Sequence, residues 1–257
     1  MSAPRIAVLQ FPGVNCEAET VRALAAVGLV GEVFRWTRPA DGLAAYDGYV
    51  LPGGWSYQDR VRAGAIAAKD PMLETLAAEA EAGKPVLGIC NGAQVLVEAG
   101  LVPGGGHVEL ALARNRMPGR TGYYTRWVRC RVERSRCLFT SHLEPGTLLP
   151  LPIAHGEGRF TTAEPGRLEA WCEAGQVPLR YATADGAIAT AFPDAPNGAE
   201  AAAAAGFFGG DVGFEDGGED GGGDAGAIVG VGHRHKVLIC FNRNVDRWLL
   251  LLPKPLQ

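Results

Sequence analysis

The sequence predicts an α/β fold, a mostly parallel β-sheet with helices on both faces and antiparallel strands added in the C-terminal half. Over roughly the first hundred residues, short continuous apolar runs alternate with helical segments. Such runs are typical of strands buried on both faces, and their alternation with helices implies right-handed crossovers between parallel strands. After residue 106 the apolar runs follow one another with little helix between them, which indicates antiparallel pairing. Because 257 residues with 47% apolar side chains can bury one substantial core, we predict a single domain over residues 1–257.

The first half of the chain predicts four strands and two helices around a cysteine-containing turn. The predicted strands are Ile6–Phe11, Gly31–Trp36, Gly48–Leu51 and Pro85–Ile89. The first helix is predicted from about residue 16 to residue 27, with apolar side chains on one face. Asp70 and Pro71 predict the start of the second helix, as an N-cap followed by proline at the first helical position, and Gly83 predicts its end.

In the second half, apolar runs separated by turn residues predict six further strands. They are Val128–Val132, Cys137–Ser141, Val177–Tyr181, Ala187–Phe192, Ile228–Val231 and Val237–Phe241. Residues 199–227 hold an alanine run followed by Gly, Asp and Glu, with seven acids and no Lys or Arg. Because this stretch has too few large apolar side chains to offset the entropy lost on ordering, we predict a mobile surface loop there. An acidic lid is the alternative.

Charge and cysteine content exclude several classes of partner and site. The net charge is −4 and becomes about +3 without residues 199–227, and neither value indicates a nucleic acid partner. The sequence shows neither an uninterrupted apolar stretch of about 18 residues nor a signal-peptide pattern, so we predict a cytoplasmic protein with no membrane partner. The six cysteines form no C-x-x-C pair, and we therefore expect neither a metal site nor a disulfide framework.

The segment Pro85–Gln94 is the most informative part of the chain. A buried apolar strand runs into Cys90 and then into a helix, with Gly88 two residues before the cysteine and Gly92 two residues after it. At the apex of a tight strand-to-helix turn, a β-carbon at either glycine would collide with a neighbouring element. The helix directs its free N–H groups and its positive dipole end toward the sulfur, which favours the thiolate. The pattern predicts a nucleophile elbow, and the alternative is a buried structural cysteine.

Two other strand ends carry polar or glycine-rich segments, and reactive groups gather beyond the carboxyl ends of parallel strands. The third strand ends in Pro52, Gly53 and Gly54. Adjacent glycines let a backbone N–H approach an oxyanion, and the N–H of Asn91 offers a second donor. We therefore predict Gly53, Gly54 and Asn91 at an oxyanion site. Cys16 follows the first strand without flanking glycines, so we predict that it packs at a helix start.

Five segments together have a recognisable pattern. They are Gln10–Cys16, Leu51–Tyr57, Gly64–Ala67, Lys84–Gln94 and Pro152–Phe160. These segments resemble the glutaminase subunits of phosphoribosylformylglycinamidine synthases, a family within the class I, triad-type glutamine amidotransferases. The resemblance covers about residues 5–198 and includes Pro196–Gly198, where the family has Asn-Pro-Asn-Gly-Ser.

The resemblance implies a flavodoxin-like sheet and a glutaminase mechanism. Cys90 would attack the side-chain amide of glutamine, and the glutamyl thioester would then be hydrolysed to glutamate. Backbone N–H groups near Gly54 and Asn91 would form the oxyanion hole, and Gln94 would help to hold glutamine. The resemblance places His155 in a loop near the active site or the synthetase interface, but not as the family's catalytic histidine.

The resemblance also implies partners. Ammonia would pass to a separate, ATP-dependent synthetase subunit that makes formylglycinamidine ribonucleotide in purine synthesis. A small accessory subunit of the same complex is expected as well. No cofactor is implied for this chain, because ATP and Mg²⁺ are expected on the synthetase.

The family's proton carrier is missing from the sequence. The family has a histidine oriented by a glutamate in a Pro-His-Pro-Glu-Arg segment after the last strand, and no such segment occurs here. Aligning Val237–Phe241 with that strand puts residues 242–247 at the motif, whereas aligning the tail puts residues 252–257 there. We prefer the first alignment, because Ile228–Val231 then matches the preceding strand.

Three interpretations follow from this absence. His233 or His235 could substitute, but both precede the last strand at the end of the sheet opposite Cys90, about 17 Å away along a five-residue strand. Asp246 or Lys254 could act as an alternative base. In the third interpretation the acyl-transfer machinery is incomplete. The chain is then a catalytically impaired homologue that serves as a structural or regulatory partner of the synthetase, or the product of a gene whose 3′ region has diverged or shifted frame.

Overall fold

A nine-stranded mixed sheet organises the residues that the computed structural model describes, which are 3–135, 137–207 and 237–240. The strands are β1 (Arg5–Gln10), β2 (Val30–Arg35), β3 (Gly48–Leu51), β4 (Val86–Ile89), β5 (Leu110–Arg114), β6 (Arg116–Met117), β7 (Arg120–Thr121), β8 (Tyr124–Val132), β9 (Leu148–His155), β10 (Glu157–Thr162), β11 (Leu179–Ala182), β12 (Ala203–Phe207) and β13 (Val237–Cys240). The helices are α1 (Glu17–Ala26), α2 (Met72–Glu81), α3 (Asn91–Glu98) and α4 (Arg167–Glu173). The sheet has the order β2-β1-β3-β4-β13-β12-β11-β8-β9, while β5 pairs with β10 and β6 with β7.

The sheet has a parallel half and an antiparallel half. Strands β2, β1, β3, β4 and β13 are parallel to one another, and β12, β11, β8 and β9 continue the sheet with antiparallel pairing. In the parallel half, β13 lies beside β4, with Val237 opposite Val86 and Cys240 opposite Ile89. The carboxyl ends of β1, β3, β4 and β13 therefore meet at one edge of the sheet, and the predicted parallel sheet with added antiparallel strands is confirmed.

Both faces of the parallel half are covered by helices. Ala7 and Leu9 of β1 pack into a core cluster that includes residues of α2 and α3, whereas Ile6 and Val8 pack into a second cluster with residues of α1. Successive side chains of a strand point to opposite faces, so a strand covered on both faces must be continuously apolar. This is the physical reason why the first strand has the sequence of an uninterrupted apolar run.

The elements predicted in the first half are confirmed, and their ends differ from the prediction by one or two residues. Asp70 caps α2 as predicted: its Oδ1 accepts the N–H of Met72 at 3.0 Å. Local signals sufficed here, because β1, β3 and β4 are apolar runs and each helix is bounded by a capping residue or glycine.

The predictions for the second half are partly wrong. Strands are present at or near Val128–Val132, Val177–Tyr181 and Val237–Phe241. Residues 137–141 form a turn, in which the N–H groups of Thr140 and Ser141 bond to the carbonyl of Cys137. Cys137 and Phe139 are both buried. The alternating apolar residues that predicted a strand are therefore the buried side chains of a turn. Residues 187–192 contain only one bridge, between Ile188 and Ala182.

Besides the two-residue strands β6 and β7, four strands of the second half were not predicted: β5, β9, β10 and β12. Strand β9 contains Pro150 and Pro152, which a strand tolerates at the edge of a sheet, where one side of the backbone makes no ladder bonds. Strands β5 and β10 pair only with each other outside the main sheet. In each case the strand depends on a partner distant in sequence, and no local signal announces it.

The predicted mobile loop at 199–227 is wrong over its first part. Strand β12 (Ala203–Phe207) lies inside the sheet between β13 and β11, and Ala203, Ala204 and Ala205 are buried. Alanine contributes little hydrophobic signal, so a small-residue strand and a low-complexity loop are alike in sequence. The strand that pairs antiparallel with β13 is β12. Residues 208–227 and 228–231 lie outside the described part of the chain.

Candidate functional site

The nucleophile elbow predicted from sequence is present at the carboxyl end of β4. Cys90 stands between β4 and α3 with φ 52° and ψ −111°. This is a left-handed backbone conformation that a residue with a β-carbon adopts at a cost of about 1–3 kcal/mol, and such strain is concentrated at functional sites. Cys90 is half-buried, so its sulfur is held at a sharp bend without being sealed in the core.

The glycines on either side of the elbow are required by close packing. A β-carbon on Gly92 would lie 2.0 Å from the carbonyl oxygen of Leu51 in β3. A β-carbon on Gly88 would lie 2.6 Å from Cδ1 of Leu96 and 3.0 Å from Cα of Ala93, both in α3. Strand, turn and helix thus pack backbone against backbone, and this packing fixes the position of Cys90.

Cys90 lines a cavity of about 210 Å³ beyond the carboxyl ends of β1, β3 and β4. The lining residues are Asn15, Cys16, Gly53, Gly54, Trp55, Asp59, Ala63, Cys90, Gln94, Tyr123, Ala154, His155, Gly156 and Glu157. The segments that follow β1, β3 and β4 contribute most of this lining, and the junction of β9 and β10 contributes Ala154, His155, Gly156 and Glu157. The side chains of Trp55 and Tyr123 at the cavity are each about half exposed.

Gly53 and Gly54 lie where the prediction placed them, beside the elbow. Gly54 has φ 151°, and a β-carbon there would lie 2.7 Å from Cα of Val14. The segments after β1 and β3 are joined here, because Trp55 N–H donates to the carbonyl of Gly13 at 3.0 Å. In the described residues, the N–H groups of Gly54 and Asn91 take part in none of the loop and cap hydrogen bonds, so both are available to an oxyanion.

Asn91 and Gln94 tie the walls of the cavity together. The Asn91 Oδ1 accepts the N–H of Ser56 at 2.9 Å, and its Nδ2 donates to Asp59 Oδ1 at 3.1 Å and to Gln94 Oε1 at 3.0 Å. Gln94 Nε2 donates in turn to the carbonyl of Glu157 at 2.9 Å. Both amides are buried, and such buried bonds specify one arrangement of the surrounding segments. The side chains of Asn91 and Gln94 therefore hold the cavity in shape as well as lining or adjoining it.

Two carboxylates face the cavity from opposite halves of the molecule. Asp59 follows β3, and Glu157 begins β10. Burial, and then the negative charge of Glu157, raise the pKa of the Asp59 carboxyl, while the hydrogen bond from Asn91 opposes the rise. Neither acid forms an ion pair with a cationic residue in the described part of the chain. The cavity is therefore suited to a ligand that brings a positive charge.

His155 lies in the wall of the cavity, at the end of β9, rather than in a loop at its margin. Its ring packs against Gly158, where a β-carbon would lie 2.3 Å from the ring Cε1. Asn115 holds it in place, with Nδ2 at 3.1 Å from the ring Nδ1 and 2.7 Å from the His155 carbonyl oxygen. Burial lowers the pKa of His155 to about 4, so the imidazole is neutral near pH 7.

Several cavity residues were not predicted as functional. Asp59 belongs to a short segment in which Tyr57, Gln58 and Asp59 all have positive φ, and no sequence signal indicates that conformation for these residue types. Glu157 and Tyr123 reach the site through antiparallel pairing. Cys16 stands at the start of α1, as predicted, but it also lines the cavity.

The residues proposed for proton transfer fall outside the described chain. These are His233, His235, Asp246 and Lys254. The register of β13 bears on the choice among them, because Cys240 lies beside Ile89, which immediately precedes Cys90. The chain thus leaves β13 at the end of the sheet where the elbow stands, and it enters β13 at the opposite end.

No group of three or more His, Cys, Asp or Glu side chains in the described residues is arranged to hold a metal ion. Among the same residues, no helix is both long and apolar enough to cross a membrane.

Comparison with known proteins identifies the family. Residues 3–208 match the CobB/CobQ-like glutamine amidotransferase domain. The chain is 49% identical over 201 residues to the phosphoribosylformylglycinamidine synthase subunit PurQ of Methanothrix thermoacetophila, an alignment that covers 76% of this chain and 77% of the relative. It is 46% identical over 198 residues to the same subunit of Thermomicrobium roseum, covering 77% and 78% of the two chains.

A solved structure described as PurLQS from Thermotoga maritima matches the fold with a TM-score of 0.67 and 25% sequence identity, over 97% of both chains. These matches point to the same family as the strained Cys90 elbow and the glycines at the neighbouring strand end. The chain belongs to the CobB/CobQ-like glutamine amidotransferases and, among them, to the family of phosphoribosylformylglycinamidine synthase PurQ subunits.

Proposed function

We propose that this chain is the glutaminase subunit of a phosphoribosylformylglycinamidine synthase. It hydrolyses glutamine and passes ammonia to an ATP-dependent synthetase subunit that makes formylglycinamidine ribonucleotide in purine synthesis. The observation that carries the proposal is the strained Cys90 elbow, which faces a cavity beside two available backbone N–H groups. The name and the 49% identity of the relative from Methanothrix thermoacetophila support the same function.

In the proposed reaction, the Cys90 thiolate attacks the carboxamide carbon of glutamine. The negative charge that develops on the oxygen is stabilised by the N–H groups of Gly54 and Asn91, which is worth about 3 kcal/mol for each oxyanion donor. The C–N bond then breaks, and the leaving nitrogen takes up a proton and departs as ammonia. Water attacks the thioester, releases glutamate and restores the thiolate.

The two carboxylates give the cavity a means of recognising the amino acid end of glutamine. Asp59 and Glu157 both line the cavity, and the charge of Glu157 acts on the Asp59 carboxyl, so a ligand ammonium beside them relieves their mutual repulsion. The same cation favours the thiolate form of Cys90, because a positive charge in the cavity stabilises a nearby negative one. Gln94 supports this arrangement through its bond to the Glu157 carbonyl.

The reaction also needs a proton carrier for ammonia and water. His155 is neutral near pH 7 and poorly suited to this task, because burial lowers its pKa to about 4. We place the carrier in the chain that follows β13, where Asp246 is the first candidate and Lys254 the second; both lie outside the described residues. A small accessory subunit is proposed as a further partner, and ATP and Mg²⁺ are assigned to the synthetase.

The proposal is tested by measuring glutamate release from glutamine by the chain together with its synthetase. We expect Cys90→Ala to abolish release and Cys172→Ala to preserve it, since Cys172 is half-buried outside the cavity. Absence of glutamate release by the unmodified chain at every synthetase concentration would contradict the proposal and support an impaired homologue. Labelling of Cys90 by a glutamine-analogue electrophile without turnover would locate the defect at the proton carrier.

A further inference from the structure

Two half-buried thiols line the cavity, and one of them has no part in the proposed reaction. Cys16 and Cys90 lie on either side of Gly53. A β-carbon built on Gly53 would stand 3.4 Å from Cβ of Cys90 and 3.7 Å from Sγ of Cys16. The Cys16 sulfur therefore lies within about 7 Å of the Cys90 β-carbon. Because a disulfide needs β-carbons about 3.5–4.5 Å apart, pairing requires the two side chains to rotate and the segments that carry them to move together.

The surroundings of these two cysteines differ from those of the other cysteines in the described chain. Cys16 immediately precedes α1 and Cys90 immediately precedes α3. A helix N-terminus favours a thiolate, although Glu17 and Glu19 in the first turn of α1 oppose this effect at Cys16. Cys130 and Cys137 are buried in the core, and burial raises their pKa to about 12 and about 11. Burial also raises the pKa of Cys172. Among the cysteines whose side chains the structure describes, Cys16 and Cys90 are the two that line the cavity.

We propose that Cys16 is a resolving thiol for Cys90 and that peroxide converts the two into a reversible disulfide. The Cys90 thiolate attacks one peroxide oxygen, the O–O bond breaks, and a sulfenic acid and one water form. The Cys16 thiolate then attacks the Cys90 sulfur, the S–O bond breaks, and the hydroxyl group leaves as a second water. Overall, two thiols and one hydrogen peroxide give one disulfide and two waters, so two electrons pass from sulfur to peroxide.

This disulfide has two consequences for the site. It occupies the sulfur that attacks glutamine, so the oxidised chain is inactive until a dithiol reduces it. It also removes the sulfenic acid before further peroxide can convert it to sulfinic acid, which thiols do not reduce. Gly53 makes the pairing possible, because no side chain separates the two cysteines. The proposal does not depend on which substrate Cys90 attacks.

The test treats the full-length chain with a small excess of hydrogen peroxide, digests it without reduction and maps the peptides by mass spectrometry. We expect a peptide pair joined through Cys16 and Cys90, with a loss of two hydrogens that dithiothreitol reverses. In Cys16→Ser we expect Cys90 to gain two oxygens instead. After dithiothreitol treatment, iodoacetamide should label Cys90 in this variant at least fivefold less than in the unmodified chain. Cys172→Ser is the matched control and is expected to behave as the unmodified chain.

Two results would overturn the proposal. One is the absence of a Cys16–Cys90 peptide from the oxidised, unmodified chain, which requires no variant to fold. The other is equal recovery of Cys90 labelling in the unmodified chain and in Cys16→Ser. Both measurements read the sulfur itself, so they stay informative even if the chain releases no glutamate from glutamine.

Discussion

The two halves of the sheet build the cavity in different ways. The parallel half supplies Cys90, Gly53 and Gly54 from segments that directly follow β3 and β4, and close backbone packing holds them in place. The antiparallel half supplies His155 from the end of β9, the adjoining strand β10 supplies Glu157, and buried side-chain hydrogen bonds hold this junction. The parallel half thus positions its groups mainly by close backbone packing, and the antiparallel half mainly by side-chain hydrogen bonds. We expect substitutions in the two halves to have different effects.

The largest expected effect tests steric positioning in the parallel half. We expect Gly92→Ala to destabilise the protein by more than about 3 kcal/mol, because its β-carbon would lie 2.0 Å from the Leu51 carbonyl oxygen, which is backbone and cannot move aside. Urea unfolding followed by circular dichroism measures this change. Gly156→Ala, between β9 and β10, is the control, since a β-carbon there would lie no closer than 3.8 Å to any neighbouring atom. Equal stability of the two variants would show that packing does not fix the elbow.

The second effect tests burial in the antiparallel half through pH. The folded protein binds a proton at His155 with a pKa of about 4, against an ordinary value of 6.5, so acid favours the unfolded chain. The contribution of neutral His155 to stability is complete above pH 6.5 and is lost as pH falls from 6.5 toward 4. Between pH 7.5 and pH 4.5, we expect the unmodified chain to lose about 2 to 3 kcal/mol more stability than His155→Gln.

Unfolding free energies of both proteins across that range measure the difference. Other groups titrate in both proteins and cancel in the comparison. Parallel curves would mean that the His155 ring is hydrated, and the wall would then be looser than its contacts with Asn115 and Gly158 indicate.

The third effect concerns the place where the halves meet. Asp59 follows β3 of the parallel half and Glu157 begins β10, which adjoins the antiparallel half. We expect Asp59→Asn or Glu157→Gln each to raise the KM for glutamine about tenfold, or about 1.4 kcal/mol. Glutaramate, which lacks the α-ammonium, should be hydrolysed at the same rate by the variants and the unmodified chain. Glu74→Gln, an exposed acid on α2, is the control. Loss of activity on both substrates would assign these acids to cavity structure rather than to ammonium recognition.

The smallest effect concerns a local signal alone. Asp70→Ala removes the side chain that accepts the Met72 N–H at the start of α2, and we expect it to cost about 1 kcal/mol of stability without changing the KM for glutamine. Thermal unfolding and a glutaminase assay together measure this outcome, with Glu74→Ala on the same helix as a control. A change in KM would mean that α2 transmits strain to the elbow.

The parallel half and its nucleophile were predictable from the sequence alone. The signals are local: apolar runs indicate buried strands, capping residues indicate helix ends, and the glycines around Cys90 indicate a tight strand-to-helix turn. Gly88 and Gly92 were predicted from their offsets alone, and close contacts with α3 and β3 explain them. The same reasoning placed Gly53, Gly54 and Asn91 beside the cysteine.

Three features became apparent only in the folded chain: the part of the cavity formed by β9 and β10, the position of strand β12 inside the sheet, and the proximity of Cys16 to Cys90. Ala203–Phe207 was predicted as loop because alanine has almost no hydrophobic signal, whereas its place between β13 and β11 comes from hydrogen bonds to strands distant in sequence. Asp59 and Glu157 are 98 positions apart and carry no shared motif. Such contacts are set by which strands pair across the sheet, and strand pairing between distant segments is a property of the folded chain rather than of any local stretch of it.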